Sequence, residues 1–383
     1  MIIGVDGNEA NIDNRVGVNE YAFNLLWNIY RLSDEWRDRH SFVIYLQEKP
    51  KNLPPQKKYW KYKIIEGGSF WILRKLVWQL FKDRKNIDIF FSPSHYVPPV
   101  CPMPRICAIM DLGYLKFSEQ FKRRDFWQLK FWSAWSIRVS KYIISISEFT
   151  KNDIVRHYPF ASQKIVVTPL GFNKEVFNVK KDINDVRQIK EKYTMGMDYV
   201  LFMGTLKPSK NVEGLIDAWS EVYKHYPNYK LVIAGRKGWL YKNIFRKVKD
   251  LKLEESVVFT GFVNEDDKAL LIKYARVFCL PSFWEGFGLD VLSSMASGVP
   301  VIVSNCASLP EVAGKCGIYV NPHNTEEIAL AIKRVLSMKR LHYNRLVRCG
   351  LNQADKFSWI DTAKKTLKLF DIIKKNDVFS REY

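Results

Sequence analysis

Twice along this chain, short apolar runs of strand-forming residues alternate with longer amphipathic stretches, and no other feature restricts the fold as much. The first series covers residues 2–5, 42–46, 87–91, 105–109, 142–146 and 165–167. Each run is rich in Val, Ile, Phe or Tyr and is bounded by polar or turn residues, as in strands buried on both faces. Helical stretches such as 19–32 and 149–157 lie between them. The pattern restarts with runs at 199–203, 231–234, 257–260, 277–280, 299–303 and 317–320, separated by helical stretches at 212–226, 266–274, 290–297 and 325–338. Strand–helix alternation of this kind predicts a parallel sheet covered on both faces. A polar, charged stretch over 173–197 divides the two series.

At 383 residues the chain exceeds what one hydrophobic core usually holds and suits two domains. The 14 % aromatic content argues against disorder. The expected fold class is α/β, with two doubly wound Rossmann-like domains over 1–180 and 181–360 and a final segment, 361–383, that opens as a helix. Ligands of such sheets bind beyond the carboxyl ends of the strands, so the expected active site is the cleft between two facing domains.

Three strand–loop–helix junctions carry residues with chemistry. In the first, Gly17 precedes Val18, Asn19 and Glu20 at the head of a helix. Glycine lets the backbone approach a ligand, and a helix start offers free amides to an anion. In the second, Gly204, Thr205, Leu206, Lys207, Pro208, Ser209, Lys210 and Asn211 directly follow an apolar run. A lysine fixed at a strand mouth neutralises a diphosphate, including the charge that develops on it as a leaving group. Lys210 is the candidate, whereas Lys207 reads as solvated surface. The third junction, Pro281-Ser282-Phe283-Trp284-Glu285-Gly286-Phe287-Gly288-Leu289, sets an acidic residue beside a glycine-rich turn that opens a helix. The turn presents backbone amides to phosphate or sugar oxygens, and Glu285 can accept hydrogen bonds from sugar hydroxyls.

From Tyr199 to Gly317 these motifs resemble the nucleotide-binding domain of the family 4 retaining glycosyltransferases, which have the GT-B fold. The family's G-T-x-x-P-[RK]-K-N is matched from Gly204 to Asn211, and P-S-x-x-E-G-F-G-L from Pro281 to Leu289. Its G-V-P-V-I-x-S and L-P-E-V segments are matched from Gly298 to Ser304 and from Leu309 to Val312. The first half is similar more loosely, through 17–21, 92–98, 110–112, 145–150 and 168–171.

The resemblance implies a hexosyltransferase, of mannose or glucose type. It would use a nucleoside diphosphate-sugar as co-substrate and a glycan or lipid-linked acceptor, retain the anomeric configuration and serve cell-surface polysaccharide or glycolipid synthesis. The first domain would bind the acceptor, the second the donor, and the last helix would pack back on the first domain. Lys210 would hold the donor diphosphate. Glu285 would hold the donor sugar, with Gly286 and the amides of Phe287, Gly288 and Leu289 nearby. Gly204, Thr205 and Ser209 would complete the donor loop, and Gly17 would approach the donor or acceptor. Arg236, Phe262 and Val263 would border the base. Asp111 would act on the acceptor side, beside Met110 and His95. The family is typically metal-independent and needs no further cofactor.

This chain departs from the family pattern at three positions. The second acidic residue of the E-x7-E pair is Ser293, the basic residue before the phosphate lysine is Ser209, and the His of the His-Asp pair is Met110. A thioether cannot replace the imidazole N–H. Each lost charge-assisted hydrogen bond is worth about 1.5–3 kcal/mol. These departures motivate a competing expectation, a degenerate homologue that grips nucleotide or glycan as a scaffold. Asp290 is a candidate to compensate for Ser293. A nicotinamide dehydrogenase is disfavoured because the G-x-G-x-x-G fingerprint is missing.

The net charge of +20 attracts polyanions. Two segments, from Phe70 to Asn86 and from Phe121 to Lys141, mix Trp and Phe with Lys and Arg as interfacial helices do. An anionic membrane surface is therefore the expected sink for the charge, with core-facing aromatics under a solvated basic face as the alternative for each segment. Nucleic acid is not an expected partner, because no recognised binding module is present. The start of the chain lacks the pattern of a signal peptide, and no window is long and apolar enough to span a bilayer. The expected location is cytoplasmic, peripheral on the inner face of the membrane. The six cysteines lack zinc-site spacing and read as reduced thiols, and the scattered histidines offer no metal-like pair.

Overall fold

The computed structural model describes residues 1–68, 70–180 and 182–379, with side chains as far as residue 374. Within the expected 361–383 segment, residues 380–383 lie outside the described residues, as does Lys181, where the second domain was expected to begin. The chain divides into two compact units. The first comprises Met1–Leu115, Arg123–Gly171 and the chain from Ser358 onward, and the second comprises Lys116–Lys122 and Phe172–Phe357.

In the first unit, β1 (Ile2–Asp6), β2 (Ser41–Leu46), β3 (Trp60–Ile64), β4 (Ile89–Ser92), β5 (Arg105–Ile109), β6 (Tyr142–Ser145) and β7 (Ile165–Val167) form a parallel sheet in the order β3-β2-β1-β4-β5-β6-β7. The edge strand β3 was not anticipated. Its sequence, WKYKI, alternates apolar and basic residues, so it lacks the continuous apolar run that marks a central parallel strand. Helix α1 (Val18–Arg31) starts at Gly17 and buries Tyr21, Leu25, Leu26 and Ile29. Helix α2 (Arg123–Val139) turns Ser133, Ser136 and Ile137 inward.

The second unit is a six-stranded parallel sheet. Its strands β8 (Asp198–Met203), β9 (Tyr229–Ala234), β10 (Val257–Gly261), β11 (Val277–Leu280), β12 (Val301–Ser304) and β13 (Ile318–Val320) run in the order β10-β9-β8-β11-β12-β13. All six coincide with apolar runs in the sequence. Its helices include α3 (Val212–Tyr223), α4 (Leu289–Ala296), α5 (Thr325–Leu336) and α6 (Arg340–Ala354). The chain then enters α7 (Trp359–Phe379), which belongs to the first unit. There Trp359 meets Tyr21 of α1 at 6.5 Å between rings, and the fully buried Phe370 packs on Phe42 and Phe91. Thr362 donates to the Pro169 carbonyl at 2.6 Å, and Asp371 meets the buried His40 at 2.9 Å. Burial pushes the His40 imidazole down to about 4 despite the neighbouring carboxylate.

The expectation of six reduced thiols is corrected at one pair. Packing of α6 beside the turn Gly314–Cys316 brings the Cα atoms of Cys316 and Cys349 to 5.3 Å, within bridging reach, and the two are bonded. Cys101, Cys107, Cys279 and Cys306 are free.

Candidate active site

In each sheet the strand order reverses once, between β1 and β4 and between β8 and β11. Crevices for ligands form at such switch points, beyond the carboxyl ends of the strands. The loops after β8 and β11 are the two junctions whose sequences carry the lysine and the glutamate.

After β8 the chain passes through Gly204, Thr205 and Leu206 into a short turn, Pro208–Lys210, whose Ser209 is buried and whose Lys210 is partly buried. Gly204 donates to the Ala234 carbonyl and Leu206 to the Arg236 carbonyl, so this loop lies along the one that follows β9. The approach is close enough that a Cβ on Gly235, which sits at φ +150°, would fall 1.9 Å from the Gly204 carbonyl oxygen. Only glycine satisfies both constraints. Asn211 leaves the turn at φ +54° and donates to the Pro322 carbonyl at 2.6 Å, which anchors the start of α3.

After β11 the chain enters the segment that holds Glu285, which is buried. The Phe283 amide donates to the Ser209 carbonyl at 2.9 Å and ties the two loops together. Lys210 Nζ donates to Glu285 Oε1 at 2.5 Å, and Ser282 Oγ donates to the same oxygen at 2.9 Å. Ser308 Oγ donates to the Glu285 carbonyl at 2.9 Å, and Ser304 Oγ to the Ser282 carbonyl at 2.6 Å. The carboxylate is thus held from both its side chain and its backbone. Gly288 takes the N-cap position of α4, where no side chain caps the helix amides. Phe287 is buried against Phe357, which fixes the turn from behind.

The remaining donor-side residues lie in the same unit. Arg236 stacks over Phe262 at 4.5 Å, beside Val263, and both Arg236 and Phe262 are exposed. Ser293 is buried on α4. Asp290 is ion-paired with Lys268 at 3.0 Å, so its charge is already engaged. Sequence reasoning gave no role to Ser282 and Ser304, although both lie inside matched motifs, and missed Ser308, because a serine hydroxyl's partner is not recorded in its spacing. It also missed the segment Lys116–Lys122, which packs on this unit: Lys116 lies over Trp284 at 5.2 Å, Phe117 is 6.3 Å from the same ring, and Lys122 lies over Trp239 at 5.8 Å.

The first unit holds the other candidates. Gly17 stands at φ +53° in open space. Asp111 follows β5 and accepts from the Gly113 amide at 2.7 Å, while Thr150 donates to the Met110 carbonyl at 3.2 Å. His95 follows β4. Burial lowers its basicity, partly offset by Asp111. At the switch point itself, β1 ends in the buried Asp6, which accepts from the backbone and side-chain amides of Asn8 at 3.1 and 2.7 Å. Glu9 accepts from Asn19 at 2.6 Å. Burial pushes Asp6 up to about 6 and raises Glu9 as well. This Asp6–Asn8–Glu9–Asn19 cluster also escaped sequence reasoning, although its position just after the first strand was legible. Among the described residues no group of three or more His, Cys, Asp or Glu is placed to hold a metal ion.

Residues 183–352 match the family model described as glycosyl transferases group 1. The O-antigen chain mannosyltransferase B of Escherichia coli is 28 % identical over 315 residues, which cover 81 % of this chain and 80 % of that protein. The serotype-specific mannosyltransferase WbdA of Escherichia coli is 28 % identical over 279 residues, 70 % of this chain, but the match spans only 33 % of WbdA's own length. Among solved structures, sucrose-phosphate synthase from Thermosynechococcus elongatus superimposes with a TM-score of 0.75 at 17 % identity, covering 98 % of this chain and 99 % of that one. The two sheets therefore form a GT-B fold, the match to glycosyl transferases group 1 falls in the second unit, and the chain is a glycosyltransferase.

Proposed function

We propose that this chain is a family 4 enzyme that transfers a hexosyl group, of mannose or glucose type, from a nucleoside diphosphate-sugar to a glycan or lipid-linked acceptor. Transfer retains the anomeric configuration and serves cell-surface polysaccharide or glycolipid synthesis. The observation that carries this reading is the Lys210–Glu285 pair at the switch point of the second unit, clamped by Ser282 and Ser308. The names of the mannosyltransferase relatives support the mannose-type sugar.

In this reading the second unit holds the donor. Lys210 turns from Glu285 to the diphosphate and stabilises the charge that builds on it as the glycosidic bond breaks. Glu285 then accepts from the sugar hydroxyls, and the free amides at the start of α4 face the developing anion. Arg236 and Phe262 border the base. The first unit holds the acceptor, with Asp111, Met110 and His95 at its strand ends. Neutralisation of the diphosphate falls to Lys210 and the amides, with no metal ion and no further cofactor. Retention follows from attack on the face that the leaving phosphate vacates, with that phosphate taking the acceptor proton.

The enzyme works in the cytoplasm at an anionic membrane surface. Exposed Trp127, Phe131 and Trp135 of α2 support this, since they form a stripe at helical spacing with Lys130 over Trp127 at 4.9 Å. In the segment from Phe70 to Asn86, by contrast, Trp71, Leu76 and Leu80 join the core, and of its large apolar side chains only Phe70 and Trp78 are exposed. No described helix is long and apolar enough to cross a membrane.

Thermal shift against GDP-, UDP-, ADP- and TDP-sugars, followed by assay of sugar release and transfer, tests the reading. A donor at a hundred times its Kd stabilises the fold by about 2.7 kcal/mol. Lys210→Ala should abolish that shift. Binding without turnover in any acceptor extract would favour the scaffold reading, and no shift with any donor would refute the proposed site.

A further inference from the structure

The second unit carries a cavity of about 500 Å3 that belongs to none of the residues assigned above. Its walls are Ile318 of β13, Arg334 of α5, Met338 and Lys339 of the connection, and His342, Arg345 and Leu346 of α6. The last three occupy positions i, i+3 and i+4, hence one face of the helix. Ile318 is the first residue of the parallel edge strand β13. The cavity therefore opens at the amino end of this sheet, the opposite end from the loops of Lys210 and Glu285.

Three permanent cations and an imidazole converge here, and no Asp or Glu lines the walls. Among the described residues, none of these four side chains enters an ion pair or a hydrogen bond. Elsewhere in the unit, lysines do find acidic partners, as in Lys190–Asp198, Lys247–Asp217 and Lys268–Asp290. Like charges around one concavity repel one another, and an anion relieves that repulsion. Two arginine forks match the oxygens of a phosphate, whereas Ile318, Met338 and Leu346 offer an apolar floor. The volume suits a small-molecule ligand.

We infer that this cavity is a second anion site, separate from the donor site, for a phosphate or diphosphate carried on an apolar body. The disulfide between Cys316 and Cys349 brackets it, two residues before Ile318 and three after Leu346, and holds β13 and α6 in register around it. Two sources offer this chemistry, a soluble phosphorylated metabolite and a phospholipid headgroup.

The test is calorimetric titration of the full chain with inorganic pyrophosphate in a Lys210→Met/Glu285→Gln background, which removes the proposed donor-site contribution. That protein should bind pyrophosphate, and adding Arg334→Ala and Arg345→Ala should weaken binding on the order of a hundredfold. Both arginines are exposed, so circular dichroism should show the fold intact. Equal binding with and without the arginines would overturn the inference. Pelleting with phosphatidylcholine vesicles containing phosphatidic acid then separates the sources: a drop on removing the arginines assigns the phosphate to a lipid, and unchanged pelleting assigns it to a soluble ligand.

Discussion

Lys210 and Glu285, 75 residues apart in sequence, meet as an ion pair of 2.5 Å where the strand order of the second sheet reverses. Both side chains are largely withdrawn from water. Removing one partner leaves the other charged and uncompensated, whereas neutralising both does not. Lys210→Ala should therefore cost about 3 kcal/mol in urea unfolding, and Lys210→Met/Glu285→Gln distinctly less. Each single change should lower kcat by about a hundredfold or more, and the double variant should be no worse than the poorer single. Additive losses would show that the two residues act independently.

Asp6 makes a pH prediction with a definite sign. Burial raises its carboxyl to about 6 from 3.8, so the folded state holds this proton more tightly than the unfolded chain does. Stability contributed by the neutral form is lost as pH rises between those values. Asp6→Asn keeps an acceptor for Asn8 and removes the ionisation. It should raise stability at pH 8 by up to about 3 kcal/mol and change little at pH 4. Thermal melts at the two pH values check this, and an equal effect at both would contradict it.

The Cys316–Cys349 bridge closes a loop with a sequence separation of 33. By loop-closure entropy it should stabilise the second unit by about 4 kcal/mol. Dithiothreitol should lower the melting temperature of the wild type and leave that of Cys349→Ser unmoved.

The outward stripe on α2 predicts a loss of membrane binding with the fold preserved. Replacing Trp127, Phe131 and Trp135 by Ala should weaken pelleting with anionic vesicles by about a hundredfold. Unfolding free energy should change by less than about 1 kcal/mol, because the three residues are exposed.

Helix α7 reaches the core of the first unit through Phe370, which is fully buried against Phe42 and Phe91. Phe370→Ala leaves a cavity there and should destabilise that unit by about 3–5 kcal/mol in denaturant melts. A surface change on the same helix, Lys364→Ala, should cost less than about 0.5 kcal/mol.

Much of this was legible before the fold was known. The central strands declared themselves because a parallel strand covered on both faces must be apolar at every position, as in Tyr199–Val200–Leu201–Phe202. Lys210 and Glu285 stood out because each follows such a run and precedes a helix. The edge strand β3 did not, since WKYKI alternates apolar and basic residues and lacks the continuous apolar run of the central strands. Trp71 and Trp78 share one basic, aromatic segment, yet the first is buried in the cluster of Tyr45 and Phe90 and the second is exposed outside it.

Local sequence determined which stretches become strands and helices and which loops carry charge, because burial and chain stiffness act over a few neighbouring residues. Strand order decided the rest. Only once β8 and β11 lie side by side do Lys210 and Glu285 pair, and only with β12 beside β11 does Ser308 reach the Glu285 carbonyl. The same long-range packing joined Cys316 to Cys349 and carried Lys116–Lys122 onto the second unit. These contacts depend on how whole elements stack, and no window of sequence records that.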